Sequence, residues 1–426
     1  MRPLPVLLAL LGLAGSAPAD SPSRSELVEL GHRCQQRAEQ LRGIRAGKPI
    51  RWQVADRQQI RAYVLKVLER QYRPGELQAE GLTFRALDLL PADLEYDKFV
   101  VDLMTEQIGG VYDPVEEIFY LADWIPPGMQ ETIIVHEVTH ALQDQAYGID
   151  DFLERLRGNS DAMAARAAVV EGEATLVMLE DALRQAGTPL GLDQIELSLR
   201  GMQLMTLLSS IAFPSFARAP RALRQSLLFP YLQGLRFVVA ARRRGGWKIM
   251  DRVYASLPAS SEQVLHPEKY FDRPDPPTPI EQPGLPGLAG RDWRLVNSDV
   301  LGEFGMDLLL EQLPEQERRR AAAGWDGDRL WVFARGDLLA WVSLSVWDSP
   351  ADAIQFAGAL ARTVRERRPG ARAEPIGPTP RMVWRLPGDR VIWIERRRQR
   401  VAVVFALERA AARAIISDFF RAIIEK

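Results

Sequence analysis

His136-Glu137-Val138-Thr139-His140 stands inside a stretch, Gln130 to Tyr147, whose reading decides the fold. Ile134, Val138, Ala141 and Leu142 recur there at helical spacing, which predicts a helix with one apolar, buried face. His136 and His140 are one helical turn apart and share a face, with Cβ atoms roughly 5–6 Å apart. Two imidazoles so placed can both reach one zinc ion at roughly 2.0–2.1 Å. Glu137 is rotated by about 100° from His136, so it addresses a water on the metal rather than the metal. Zinc lowers the pKa of such a water toward roughly 7, and a carboxylate there can take its proton during attack on a carbonyl. The chain has four histidines, the others being His32 and His266. With so few, chance placement of two around a glutamate in this pattern is rare, and ordinary core histidines are the weaker reading.

A catalytic zinc takes three protein ligands and leaves one position open. The sequence predicts a long helix from Asp161 to about Gln185, capped by Ser160, and Glu171-Gly172-Glu173-Ala174 lies on it. Residues i and i+2 point apart on a helix, so one of these carboxylates is expected to ligate. Glu171 shares its face with Ala164, Ala167, Ala168, Ala174 and Thr175, small residues that let the two helices approach closely. Glu173 lies with Val169, Val170, Leu176 and Val177, a core-like face. Glu171 is therefore favoured as third ligand, and Glu173 is the alternative or an acceptor for a ligand histidine. Gly172 costs roughly 1 kcal/mol inside a helix, tolerable if it relieves crowding at the site. One zinc ion per chain is expected.

The zinc helix follows a predicted hairpin from Gly109 to Ala122, turning at Asp113-Pro114, and the break Pro126-Pro127-Gly128. Upstream, helical periodicity runs from residue 24 to 42, Pro49 to Val54 reads as a strand, and Asp56 caps a helix through Leu68. Residues 194–245 read as two or three helices, with the apolar run Met202–Phe213 as core or pocket lining. Gly245-Gly246 starts another helix, which ends near Ser256. The Pro-rich tract 273–295 is the clearest boundary. Beyond it, residues 296–426 read as a separate α+β unit. Its elements are a helix at 299–312, a hairpin Leu330–Arg335 and Leu339–Trp347, a helix capped by Ser349, three strands and a final helix.

His136-Glu137-x-x-His140 followed by Glu171-Gly172-x-Ala174 resembles the gluzincin metallopeptidases, the thermolysin and aminopeptidase type of zincin. The resemblance implies an α+β zincin-type domain, largely helical around a small sheet, over residues 20–272. It implies His136, His140 and Glu171 as ligands, Glu137 as general base, and a peptide or protein as substrate. The hairpin then resembles the edge-strand side of a cleft, where substrate backbone adds as an extra strand. Specific motifs are confined to residues 136–175. The spacer between His140 and Glu171 is longer than those branches carry, and Thr175 stands where thermolysin-type enzymes have an Asp, so support for the ligand histidines must come from elsewhere. Gly110-Val111-Tyr112-Asp113-Pro114 and the stretch Ser261–Tyr270 are similar to an uncharacterised group of bacterial and archaeal zincin-like proteins, which assigns no substrate.

Gluzincins place a His, Tyr or Arg against the substrate carbonyl oxygen. His266 is the first candidate, since Pro267 disfavours helix at His266 and leaves its side chain on a turn. Tyr112 and Tyr270 are the other two. In the rival reading, the 265–270 segment caps the domain and His266 is hydrogen-bonded to backbone.

Composition bounds the rest. The chain has 426 residues, 47% hydrophobic and 26% charged, with a net charge of −2, an ordinary globular balance that argues against a nucleic-acid partner. Arg2, the apolar run Leu4–Ala14 and Ala17-Pro18-Ala19 have the order of a secretory signal over residues 1–19, which predicts export to a periplasm or beyond the cell. The run is too short for a lasting membrane span. Cys34 is the single cysteine, so no intrachain disulfide forms, and it is read as a packed thiol. Two other functions stand beside the peptidase: a non-catalytic zinc scaffold, and a zinc hydrolase of a non-peptide amide or ester. The intact Glu137 weighs against the scaffold, because a structural site needs no base.

Overall fold

The computed structural model describes residues 24–125, 127–149, 156–187, 214–281, 285, 288, 292–373 and 381–421. The 1–19 segment, the apolar run 202–213 and part of the Pro-rich tract lie outside them. The architecture is α+β, with two sheets. Among the described residues no helix is long and apolar enough to cross a membrane.

Helix α1 (Arg24–Arg42), strand β1 (Arg51–Ala55) and helix α2 (Arg57–Gln71) follow the sequence pattern. Asp56 accepts from the Gln59 N–H at 2.8 Å while the Gln59 side chain accepts from the Asp56 N–H at 2.9 Å, a reciprocal box that starts α2. Helices α3 (Glu76–Ala86) and α4 (Tyr96–Gln107), which the sequence reading does not name, come next. The hairpin of β2 (Gly110–Asp113) and β3 (Ile118–Ala122) turns where Asp113 accepts from the N–H groups of Val115 and Glu116, both at 2.9 Å. β1 joins β3 in parallel, so β2 is an edge strand of the order β1-β3-β2.

Helix α5 (Pro127–Tyr147) lies on this sheet. Its apolar face, Ile134, Val138, Ala141 and Leu142, packs with Phe119 and Leu121 of the hairpin and with Leu27, Cys34 and Leu41 of α1. Cys34 is a buried free thiol, as expected. Helix α6 (Ser160–Gln185) packs on α5. Its cap is Asn159, which accepts from the Ala162 N–H at 3.0 Å. Ser160, expected in that role, is the first helical residue; its N–H donates at 2.8 Å to Asp299, as does its hydroxyl. Next come α7 (Pro214–Arg218), α8 (Arg221–Gly245), α9 (Lys248–Ala255), α10 (Ser261–Leu265) and α11 (Glu268–Phe271). α6 and α8 cross backbone to backbone: a Cβ on Gly172 would lie 2.1 Å from the Gly234 carbonyl carbon. Gly172 thus serves this crossing rather than relieving crowding among ligands.

The C-terminal part holds β4 (Arg294–Asp299), α12 (Gly302–Leu309), α13 (Glu315–Ala322), β5 (Trp325–Arg335), β6 (Leu338–Trp347), α14 (Pro350–Arg367), β7 (Arg372–Ala373), β8 (Arg381–Arg385), β9 (Arg390–Arg397), β10 (Arg400–Glu408) and α15 (Arg409–Phe419). The sheet order is β4-β5-β6-β10-β9-β8-β7, with antiparallel neighbours. The single helix expected at 299–312 is corrected to the end of a strand and a shorter helix. The break falls at Gly302, whose φ of +70° favours glycine and which sits against the Asp161 carboxylate. Four strands rather than three follow α14, because β7 is only two residues long.

The Pro-rich tract is a boundary in composition, not in packing. One buried cluster joins Ile60, Val64, Phe84, Leu87 and Leu103 to Trp331, Val342, Leu360 and Ile394 of the C-terminal part. Polar contacts cross as well, from Asn297 to Thr83 at 3.1 Å and from Arg367 to the Leu87 carbonyl at 3.1 Å.

Candidate metal centre

α5 turns His136 and His140 toward α6, and Glu171 of α6 meets them. The His136 Nε2 and His140 Nε2 atoms are 3.1 Å apart, and Glu171 Oε2 lies 3.2 Å from the first and 3.3 Å from the second. All three side chains are buried. A single proton cannot bridge three such edges. A cation can: a tetrahedron with bonds of roughly 2.0–2.1 Å has edges of roughly 3.3–3.4 Å, close to those found. The donor set, two imidazoles and a carboxylate, suits zinc.

Grouping by proximity alone puts Glu137 with His136 and His140, their ligand atoms within 4.8 Å of one another. Glu171 is the better-placed candidate for a third ligand, because its Oε2 is within 3.3 Å of both imidazoles. The Glu137 Oε2 atom is instead engaged by the Tyr112 N–H of the edge strand at 3.0 Å. That bond also bears on the expected strand addition. All four residues of β2 are buried, and the Tyr112 N–H that an added strand would pair with is already used.

The electrostatics separate the two glutamates. Burial raises the Glu171 carboxyl, but His140 and His136 outweigh it and hold the group at about 2. Burial pushes Glu137 up to about 8 against the opposing pull of His140. The two carboxyl groups are thus shifted in opposite directions, and a divalent cation beside them would lower both. Burial lowers the His136 imidazole. Burial also opposes charge on His140, but Glu171 wins and takes it to about 9.

Support for the histidines comes from a residue the sequence reading does not name. The Gln143 side chain, one turn beyond His140, places Oε1 2.8 Å from His140 Nδ1. Its Nε2 donates to the Val170 carbonyl and to Glu173 Oε2, both at 2.9 Å. Glu173 therefore does not touch a ligand histidine; it touches Gln143, and it accepts from Arg42 and Tyr254 as well. Tyr231 of α8 is the second addition, its ring stacked on His136 with centroids 6.0 Å apart. A glutamine three residues after His140, and an aromatic on the separate helix α8, leave no local sequence signature.

The side chains expected as carbonyl-oxygen donors each have another partner. His266 Nε2 lies 3.0 Å from Glu303 Oε1 of α12, so this histidine ties the 261–271 segment to the C-terminal part. Tyr270 donates to the Ser256 carbonyl. The Tyr112 hydroxyl donates to Asp144 at 3.3 Å. His32 lies edge-on to Trp52.

The described residues thus define an α+β protein with a buried His-Glu-His group able to hold a metal ion. A family model described as a domain of unknown function (DUF8575) matches residues 293–416, the C-terminal sheet and its helices. No curated protein matches the chain. A solved structure from Chloroflexus aurantiacus, described as a "putative hydrolase with a novel fold", aligns with a TM-score of 0.40 and 21% identity, over 60% of this chain and 92% of that one. At that likeness neither fold nor activity carries over.

Proposed function

We propose that this protein is an exported, zinc-dependent hydrolase that cleaves peptide bonds, a metallopeptidase of the gluzincin kind. The observation that supports it most is the triangle of His136 Nε2, His140 Nε2 and Glu171 Oε2, with edges of 3.1–3.3 Å beside the buried Glu137. His136, His140 and Glu171 would hold one zinc ion. When bound, zinc polarises the scissile carbonyl and acidifies water. Glu137 accepts the proton of the attacking water and passes it to the leaving amine. The Tyr112 N–H fixes the Glu137 carboxylate against β2, so the base is aimed before substrate arrives. Export follows from the N-terminal signal pattern.

A second reading has its own support. The four residues are 1–8% exposed, as in a closed, non-catalytic zinc centre. One experiment separates the two: zinc-loaded protein is incubated with a mixed peptide library, and the products are read by mass spectrometry with Glu137→Gln as control. Peptidase activity predicts new termini with the native protein and none with the control. Stoichiometric zinc with no cleavage in either points to the scaffold.

A further inference from the structure

Gln143, Glu173 and Arg42 form a buried line leading away from His140. We infer that Gln143 is a positioning residue for the metal, and that the Arg42–Glu173 ion pair holds it in that role. The inference rests on the zinc reading of His136, His140 and Glu171 and goes beyond it to what orients them.

The argument begins with the amide of Gln143, which is fully buried. Its nitrogen faces two groups that only accept, the Val170 carbonyl at 2.9 Å and Glu173 Oε2 at 2.9 Å. Turning the amide over would set its oxygen against both, so its orientation is dictated by the surroundings. The oxygen then faces His140 Nδ1 at 2.8 Å and can only accept. Nδ1 must therefore carry the proton. In the neutral ring this leaves the lone pair on Nε2, the atom that points at His136 and Glu171. Gln143 thus selects the tautomer that binds metal.

The choice is only as firm as Glu173. That carboxylate is fully buried and needs a cation, which Arg42 at the end of α1 supplies from a position that is itself 3% exposed. Arg42 also donates to Tyr147 at 2.9 Å, and Tyr254 donates to Glu173. Arg42 holds Glu173 through Oε1, and Oε2 accepts from both Tyr254 and Gln143. His136 has no equivalent: its Nδ1 makes no hydrogen bond among the described residues. The tautomer is set through one ligand histidine, and α1 is thereby coupled to the centre.

Zinc affinity tests this by chelator competition in the full chain, across the native protein, Gln143→Leu, Glu173→Gln and the double variant. Each single substitution is expected to weaken zinc binding roughly 10–100-fold. The double variant should be little worse than Gln143→Leu, because Glu173 acts through Gln143. Additive losses, or native affinity in Gln143→Leu, overturn the inference. A native protein that takes up no zinc would instead sink the metal reading itself, so the two failures are distinguishable. A second measurement does not depend on how the variants fold. In zinc-loaded native protein, nitrogen-15 spectra of the four histidines should show a slowly exchanging proton on His140 Nδ1; a bare Nδ1 overturns the inference.

Discussion

Gly172 and Gly234 touch through their backbones: a Cβ on Gly234 would lie 2.0 Å from the Ala168 carbonyl oxygen, and one on Gly172 would lie 2.3 Å from the Gly234 oxygen. Backbone on both sides leaves nothing soft to give way. Gly234→Ala should force α8 from α6 next to Glu171. Overpacking of this kind costs roughly 1–3 kcal/mol, so a lower melting temperature and weaker zinc binding are expected together. Native stability with native zinc affinity would show that the crossing does not position Glu171.

The two central residues of the motif should separate by phenotype. Glu137→Gln removes the base and keeps every ligand, so zinc content stays near one per chain while turnover falls roughly 10²–10⁴-fold. His140→Ala breaks the triangle and should lose zinc and activity. Metal analysis of both purified proteins checks this, and loss of zinc from Glu137→Gln would mean that the roles are misassigned.

Glu171→Ala should abolish tight zinc binding, since Oε2 lies within 3.3 Å of both imidazoles. Glu173→Ala should weaken it by less, but should lower the melting temperature more, because it strands Arg42 in the core without its partner. Equal effects of the two on zinc would defeat the assignment of ligand and support.

His266→Ala should leave zinc content and turnover per bound zinc unchanged, in keeping with its bond to Glu303. Tyr231→Phe is the contrasting change: it keeps the ring stacked on His136, so a fall in kcat at unchanged zinc content would assign the carbonyl-oxygen donor to its hydroxyl. Kinetics on zinc-quantified protein decide between them.

Stability should fall with rising pH because of Asp161. Burial pushes its carboxyl from an ordinary 3.8 up to about 7, with Asp328 and Glu303 acting in the same direction against the Ser261 hydrogen bonds. The folded chain then keeps a proton that the unfolded chain releases, so folding weakens as pH climbs from about 4 toward about 7 and levels off above. Asp161→Asn cannot ionise and still offers an acceptor to the Ser261 N–H. Its melting temperature should drop less between pH 5 and pH 8 than that of the native protein; equal drops would refute the assignment.

What the sequence discloses follows from how local the cause is. Two histidines on one helical turn, the Asp56 cap and the Asp113 turn are written within a few residues, and each forms as read. Glu171 is favoured on a small-residue face meant to meet the His helix, but Ala164 and Ala168 of that face pack with α8 instead. His266 is not legible, because Glu303, its partner, lies in a segment where a long helix was expected in place of the β4–α12 break. Gln143 and Arg42 acquire meaning only once α1, α5 and α6 are packed together, since their partners are polar groups remote in the chain. The Pro-rich tract misleads in a further way: it marks a change in composition across which one core is continuous.

The hydrogen bond by which Asp299 holds the first residue of α6 reaches across 139 positions of chain. Glu171 rides on that helix. The start of the helix that carries Glu171 is thereby tied to a strand made long after it, so this restraint on the candidate centre arrives only once most of the polypeptide exists.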